Sequence, residues 1–289
     1  MGNSATTLSV AAPAKLNLFL HVVGRRGDGY HLLQTLFRFI DFSDTLHFTR
    51  REDGRICRLN MLEGVPPEQD LCVRAARLLQ RESGSSLGAD ITLDKTIPMG
   101  GGLGGGSSDA ASTLLALNRL WQLNLPRARL MQLGLMLGAD VPVFILGDNA
   151  YAEGVGEQLQ PCVLPDAWYV VLIPAVHVPT AAVFTHPELT RNTISLRIRD
   201  LPSWVINGGP ALHNDLQAVV CKQYPEVERH LRWLGRFAQA RMTGSGACVF
   251  SEFATEAQAQ AVLAQLPPDM RGIVARGLPS HPLRDWPAA

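Results

Sequence analysis

Pro98-Met99-Gly100-Gly101-Gly102-Leu103-Gly104-Gly105-Gly106-Ser107-Ser108-Asp109 sets six glycines within seven positions, between a short apolar run (Ile91-Thr92-Leu93) and a strongly helical one, Ser107 to Leu120. Without Cβ atoms the backbone turns freely and leaves its N–H groups unshielded, and the following helix points its positive end at the same place. Such a junction is an anion site, best suited to phosphates. Ser107 and Ser108 add hydroxyls, and either could cap the helix. A flexible linker is the competing reading, but a linker has no reason to lie between a strand and an amphipathic helix. Lysine occurs only at Lys15, Lys95 and Lys222, so none follows the last glycine and a Walker-type loop is excluded. Gly100-x-Gly102-x-x-Gly105 satisfies the dinucleotide fingerprint in form, yet no acidic residue stands between Asp109 and Asp140 to hold a ribose.

Upstream of the loop the chain reads as β-rich. Residues 14 to 22 alternate Lys15, Asn17, Phe19 and His21 against Leu16, Leu18, Leu20 and Val22, the period of a half-buried strand. Gly27-Asp28-Gly29 breaks it, and Leu36 to Ile40 and Thr45 to Thr49 follow as two further strands. Asp53-Gly54 is placed to return Arg55 to Asn60 antiparallel. Leu71, Ala75, Leu78 and Leu79 share a helical face closed by Gly84, and Pro126 starts a helix ending near Gly138. A composition shift between Pro161 and Pro165 divides the chain into residues 1–160 and 161–289. The second part reads as a strand (Trp168 to Ile173), a short helix (Thr180 to Phe184) and two longer helices, 211–221 and 225–239. A strand–turn–strand over 241–253, a helix over 255–266 and a closing strand over 272–276 complete an α+β layer, helices on one sheet.

Composition narrows the function. Of 289 residues 46% are hydrophobic and 18% charged, which fits a cored globular protein and excludes a disordered one. Lys+Arg and Asp+Glu both number 26, a zero balance that argues against nucleic acid or an anionic membrane as partner. The longest clean apolar run, Ala167 to Val176, contains Pro174 and falls short of the roughly 18–20 residues of a membrane helix. Lys15 is the first basic residue, so a charged secretory leader is not expected. Met1 to Thr6 fits a short myristoylation pattern without the second anchor such attachment needs, and a plain frayed terminus competes. Five cysteines without CxxC spacing read as small buried hydrophobes in a reducing compartment. These features predict a soluble cytoplasmic protein; a monomer or weak homodimer is the working expectation, not a reading of the composition.

Two side chains stand out chemically. Asp140 is the only charge between Leu133 and Leu146, and a carboxylate in apolar surroundings costs several kcal/mol unless it is paired. It reads either as a base or as the N-cap of a helix at Val141-Pro142. Lys15 shares a strand face with Asn17. A solvated edge lysine is one reading; in a chain that otherwise uses Arg, a wanted compact ammonium is the other.

Pro98 to Ala111 resembles the signature of the galacto-, homoserine, mevalonate and phosphomevalonate (GHMP) kinase superfamily. Within it, Pro13-Ala14-Lys15-Leu16-Asn17-Leu18 resembles the 4-diphosphocytidyl-2-C-methyl-D-erythritol kinase family. So do Gly27-Asp28-Gly29-Tyr30-His31 with Gln34-Thr35-Leu36-Phe37, and Gly138-Ala139-Asp140-Val141-Pro142. Met242 to Phe250, around Thr243-Gly244-Ser245-Gly246, resembles that family's late glycine turn, so the likeness runs from about residue 8 to 275. The Gly-Tyr-His stretch separates this family from its siblings.

The resemblance implies an α+β fold of two domains. Residues 1–160 would form an ATP-binding, catalytic domain, a mixed sheet with helices like ribosomal protein S5 domain 2. Residues 161–289 would form a ferredoxin-like, substrate-binding domain, with the site in the cleft between the two. It implies ATP held by Pro98 through Ser108, with Lys95 along the adenine pocket unless Lys95 is a solvated strand end, and Mg2+ whose ligands are not evident. Asp140 becomes the base, with Lys15 beside it favouring the negative charge on the carboxylate and on the developing alkoxide. Asn17, Tyr30, His31, Phe37, Thr180 and Phe184 become contacts to a cytidine diphosphate-linked small molecule. Tyr30 and Phe184 would stack on its base and His31 would hydrogen-bond the base edge. The activity implied is ATP-dependent phosphorylation of the 2-hydroxyl, giving the 2-phosphate and ADP for isoprenoid precursors outside the mevalonate route. A sugar, homoserine or mevalonate kinase, or a non-catalytic nucleotide binder, are the alternatives. Thr243 to Gly246 reads equally as a lip over the site or a hairpin turn. Asp109 is expected to face away from the phosphates, which it would otherwise repel.

Overall fold

The computed structural model of the chain describes residues 6–196 and 212–286. Most of Met1 to Thr6 and residue 211 therefore lie outside the described residues. β1 (Thr7–Arg25) and β2 (His31–Arg51) form one long antiparallel hairpin. The two strands expected in the second arm are one, because Asp41 and Phe42 form a bulge opposite the step from Pro13 to Ala14 and the ladder resumes beyond it.

β3 (Ile56–Arg58) and β4 (Gly88–Asp94) follow, the latter after helix α1 (Leu71–Ser83). Asp70 caps α1 by accepting from the N–H groups of Cys72 and Val73, and Gly84 ends it in the left-handed region. The antiparallel return expected after Asp53-Gly54 does not form: β3 pairs parallel with β4, and β4 takes the place beside β2. Gly88 permits this, since a Cβ there would lie 2.2 Å from the Arg55 carbonyl oxygen. α2 (Gly105–Leu120), α3 (Arg127–Leu137) and α4 (Val141–Leu146) precede β5 (Ala150–Glu153) and β6 (Gln158–Pro161). The six-stranded sheet runs β3-β4-β2-β5-β6, with β1 along the free edge of β2. Helices α1 to α4 cover one face, burying Phe39, Phe48, Leu79, Leu114 and Phe144 in a common core.

A second, antiparallel sheet contains β7 (Trp168–Leu172), β8 (Arg241–Met242), β9 (Val249–Phe253) and β10 (Gly272–Arg276), in the order β10-β7-β9-β8. Its helices are α5 (Thr180–Thr185), α6 (Gln217–Gln223), α7 (Pro225–Leu234) and α8 (Glu256–Leu263). Strand order and connection are those of a ferredoxin-like split βαβ unit. α6 starts six residues later than the sequence suggests because the preceding backbone is committed to β1: Asp215 N–H donates to the Leu20 carbonyl at 2.9 Å. α7 and α8 stop at Leu234 and Leu263, short of 239 and 266, each closing in a turn.

The half-buried reading of β1 also fails. Leu16, Leu18 and Phe19 pack against Tyr169, Val171 and Phe250 of the second sheet, while Lys15 and Asn17 on the opposite face are 2% and 3% exposed. Among the cysteines Cys72 and Cys248 are buried and Cys57, Cys162 and Cys221 half-buried, all five as free thiols. No helix among the described residues is long and apolar enough to cross a membrane.

Candidate functional site

The glycine loop closes on itself through left-handed residues, Gly100, Gly102 and Gly104, with φ of 69°, 72° or 75°. Because Gly104 is the residue ahead of α2, neither serine caps the helix; both lie in its first turn. The N–H groups of Gly105, Gly106 and Ser107 have no intrahelical partner and line a cavity of about 780 Å³, whereas the Ser108 N–H already donates to the Gly104 carbonyl at 2.9 Å. Ser107 lines that cavity. Ser108 does not: its side chain is fully buried beneath the loop, which removes its hydroxyl from the expected phosphate contacts.

Lys15 reaches the same cavity from β1. Its Nζ lies 3.2 Å from Asp140 Oδ2, 2.6 Å from Asn17 Oδ1 and 3.1 Å from the Gly102 carbonyl oxygen. The Phe37 ring, itself buried, sits 5.4 Å beneath the ammonium. The lysine stem crosses Gly104 so closely that a Cβ there would be 2.9 Å from Lys15 Cε. The solvated-edge reading of Lys15 is overturned. Asp140 does stand immediately before α4, yet its side chain makes no capping hydrogen bond and turns instead to Lys15.

Asn17 does something other than wait for a ligand. Its Oδ1 accepts from Lys15, its Nδ2 donates to Thr35 Oγ1 at 2.9 Å, and its backbone N–H donates to Thr243 Oγ1 at 2.9 Å. The amide thus holds the ammonium in place. Thr243 was legible only as part of a glycine turn, and its role comes from packing: a Cβ on Gly102 would meet the Thr243 carbonyl oxygen at 2.1 Å. Cys248 N–H donates to the Gly101 carbonyl at 3.1 Å. The two glycine turns interlock. Residues 243–246 are at once the turn between β8 and β9 and, through Gly244 and Ser245, cavity wall.

The far end of the cavity is aromatic. Tyr30, on the turn between β1 and β2, is 65% exposed; His31 and Phe184 of α5 stack with ring centres 5.1 Å apart. Burial, with Arg191 and Arg25 adding to it, lowers the His31 pKa below the usual histidine value. Thr180 Oγ1 lies 2.7 Å from Ser245 Oγ, bridging α5 to the late turn.

Lys95 departs from the solvated-end reading. It neither lines the cavity nor lies in solvent: Nζ sits behind the loop, 2.5 Å from Asp44 Oδ2 and 2.7 Å from Asp109 Oδ2. Two buried carboxylates need a counter-charge, and among the described residues Lys95 is the cation they pair with. Asp109 faces Lys95 and away from the cavity; burial outweighs the ammonium's pull and pushes its carboxyl up to about 7. The described residues contain no group of three or more His, Cys, Asp or Glu that could cage a metal. Asp28 and Asp140 are the carboxylates among the lining residues.

Residues 70–148 match the GHMP kinases N terminal domain and residues 206–270 the GHMP kinases C terminal family. The chain is 64% identical over 275 residues to the 4-diphosphocytidyl-2-C-methyl-D-erythritol kinase of Thiobacillus denitrificans, spanning 95% of this chain and 97% of that one. Against the enzyme of that name from Nitrosospira multiformis the identity is 61% over 287 residues, 98% and 96% of the two chains. A crystal structure of 4-(cytidine 5'-diphospho)-2C-methyl-D-erythritol kinase superposes with a TM-score of 0.81 at 34% identity, covering 93% of this chain and 99% of that one.

Proposed function

We infer the activity of this chain from its family: it belongs to the 4-diphosphocytidyl-2-C-methyl-D-erythritol kinases. It is a phosphotransferase with an alcohol acceptor. It carries a phosphoryl group from ATP to the 2-hydroxyl of 4-diphosphocytidyl-2-C-methyl-D-erythritol, on the non-mevalonate route to isoprenoid precursors. The identity over nearly the full length, from Lys15 past the late glycine turn, carries this reading.

The division of labour among residues is our proposal. Phosphoryl transfer needs positioning and charge neutralisation more than covalent chemistry. The bare amides from Gly100 through Ser107 receive the ATP phosphates, with Pro98 and Met99 at the loop's entrance. Asp140 takes the proton of the attacking hydroxyl, and Lys15, 3.2 Å away, neutralises the oxyanion that develops. Asn17 and Phe37 act behind Lys15. Tyr30 and Phe184 stack on cytosine, His31 bonds its polar edge, and Thr180 meets the substrate's polar groups. Magnesium, when bound, neutralises phosphate oxygens. The lack of a three-ligand cage among the described residues fits a hydrated ion held by those oxygens and water, with the cavity-facing Ser107 hydroxyl as protein ligand.

The cavity draws walls from both sides of residue 160, which supports a cleft between parts 1–160 and 161–289 with the base pocket shared across it. We propose a cytoplasmic monomer or weak homodimer; its zero net charge gives no overall attraction to nucleic acid or an anionic membrane. ADP release by the purified protein with this acceptor, beside mevalonate, homoserine and galactose, tests the function. Turnover on the cytidylated alcohol alone, inhibited by CDP, is expected; turnover on one of the others instead overturns it.

A further inference from the structure

Arg191 lies in the loop after α5 and directs four N–H donors of its guanidinium at the base end of the cavity. Nη1 donates to the Leu189 carbonyl at 3.1 Å, and Nη2 to the carbonyls of Phe184 at 3.1 Å and His186 at 2.7 Å. These are carbonyls at and beyond the end of α5, left without helical partners. The fourth bond is different in kind: Nε donates to His31 Nε2 at 3.1 Å. A guanidinium has no acceptor, so His31 Nε2 must offer a lone pair. The imidazole is then neutral and carries its hydrogen on Nδ1. That nitrogen makes no other hydrogen bond within the described protein, and His31 lines the cavity.

We propose that Arg191 is a positioning residue for base recognition: it fixes His31 as a one-way Nδ1–H donor, and so selects cytosine over uracil. The idea rests on the cytosine pocket proposed above. Cytosine presents two adjacent acceptors, O2 and N3, whereas uracil carries a hydrogen on N3. At the N3 position a ring free to exchange tautomers serves both bases, whereas a ring locked as donor meets a lone pair in cytosine and a hydrogen in uracil. The charged and titratable groups around His31 agree with a neutral ring. Arg25 and Arg191 disfavour a third cation, Asp28 on the same turn is bound by Arg26 at 2.8 Å, and His186 Nδ1 is taken up by the Glu188 N–H.

Titrating CDP and UDP into wild type, Arg191→Met and Arg191→Lys tests this, with ATP as control. Wild type prefers CDP by about tenfold or more at both pH 8 and pH 6, the cost of one unpaired polar contact. At pH 8 Arg191→Met loses most of that preference while its ATP affinity stays within about twofold. On lowering the pH to 6 the preference returns in that variant. With Arg191 gone the His31 pKa rises toward its ordinary value, about 6.5, and a protonated ring can only donate. Arg191→Lys keeps charge without the fork and falls between the two. Should Arg191→Met fail to fold, imidazole nitrogen shifts of wild type, assigned against His31→Asn, decide alone: hydrogen on Nδ1 at pH 8 supports the proposal, hydrogen on Nε2 overturns it. A CDP preference unchanged in Arg191→Met, or one that ignores pH there, also overturns it. Failure of wild type to bind CDP would instead remove the cytosine pocket, with the tautomer still reporting on Arg191.

Discussion

At the glycine-loop end of the cavity Lys15 is 2% exposed and its neighbour Asn17 is tied to Thr243, far along the chain, whereas at the other end Tyr30 is 65% exposed on a surface turn. The first end is built from backbone approaching backbone: Gly102 against Thr243, Gly104 against Lys15. Little there can shift without breaking a buried hydrogen bond, so the groups that would meet a transferring phosphoryl are fixed before any ligand arrives. The second end consists of a five-residue turn and the six-residue helix α5, whose aromatic side chains Tyr30 and Phe184 stay partly exposed and, in the proposed function, would be covered by the base. On the proposed roles, reactivity would sit in the buried, interlocked part and recognition in the exposed part that a ligand completes.

Asp140→Asn is the strongest way to break that contrast. It should lower kcat by about a thousandfold, within the range of a lost general base, while KM for ATP stays within about twofold. Steady-state kinetics showing kcat within tenfold of wild type would remove Asp140 from the base role. Next comes a matched pair of glycines, both with positive φ. Gly102→Ala, whose Cβ would meet the Thr243 carbonyl oxygen at 2.1 Å, should cost about 2–3 kcal/mol in chemical denaturation. Gly29→Ala, with its nearest atom the Arg25 guanidinium at 3.7 Å, should cost only the backbone strain, about 1 kcal/mol. Equal losses would mean the two ends are equally rigid. Tyr30→Ala should raise KM for the cytidylated substrate about tenfold and leave KM for ATP alone, as loss of one stacking face predicts. A matching rise in both would place Tyr30 outside the base pocket. Thr180→Val, which removes an exposed contact to Ser245, should do least: a two- to threefold change in substrate KM and a melting temperature within about a degree of wild type.

What could be read in the residues was local. The strand–glycine–helix junction, the alternation of Lys15 and Asn17 with leucines, and the lone charge of Asp140 each declare themselves within a dozen positions. What could not be read depends on partners distant in sequence. Nothing around Lys95 announces Asp44, 51 positions earlier, as the carboxylate it serves, and nothing near Ile56 says that β4 will take the neighbouring place in the sheet. Period-two alternation in β1 holds from Ala14 to Leu18 but fails where the ladder slips between Asn17 and Leu20, so that Phe19 joins Leu16 and Leu18. It is also silent on the second sheet covering that face. Helix α6 illustrates the same limit: the apolar pattern continues upstream of Gln217, but a bridge to Leu20 claims that backbone first.

The bond from Asn17 N–H to Thr243 Oγ1 joins positions 226 apart. During translation, Lys15, the glycine loop and Asp140 therefore leave the ribosome long before the turn that braces them exists. A growing polypeptide holding all three still lacks the hydroxyl between them and the β8–β9 hairpin that carries it, so phosphoryl transfer should begin only after that hairpin has emerged. Messages cut short before that turn would then yield fragments that spend no ATP.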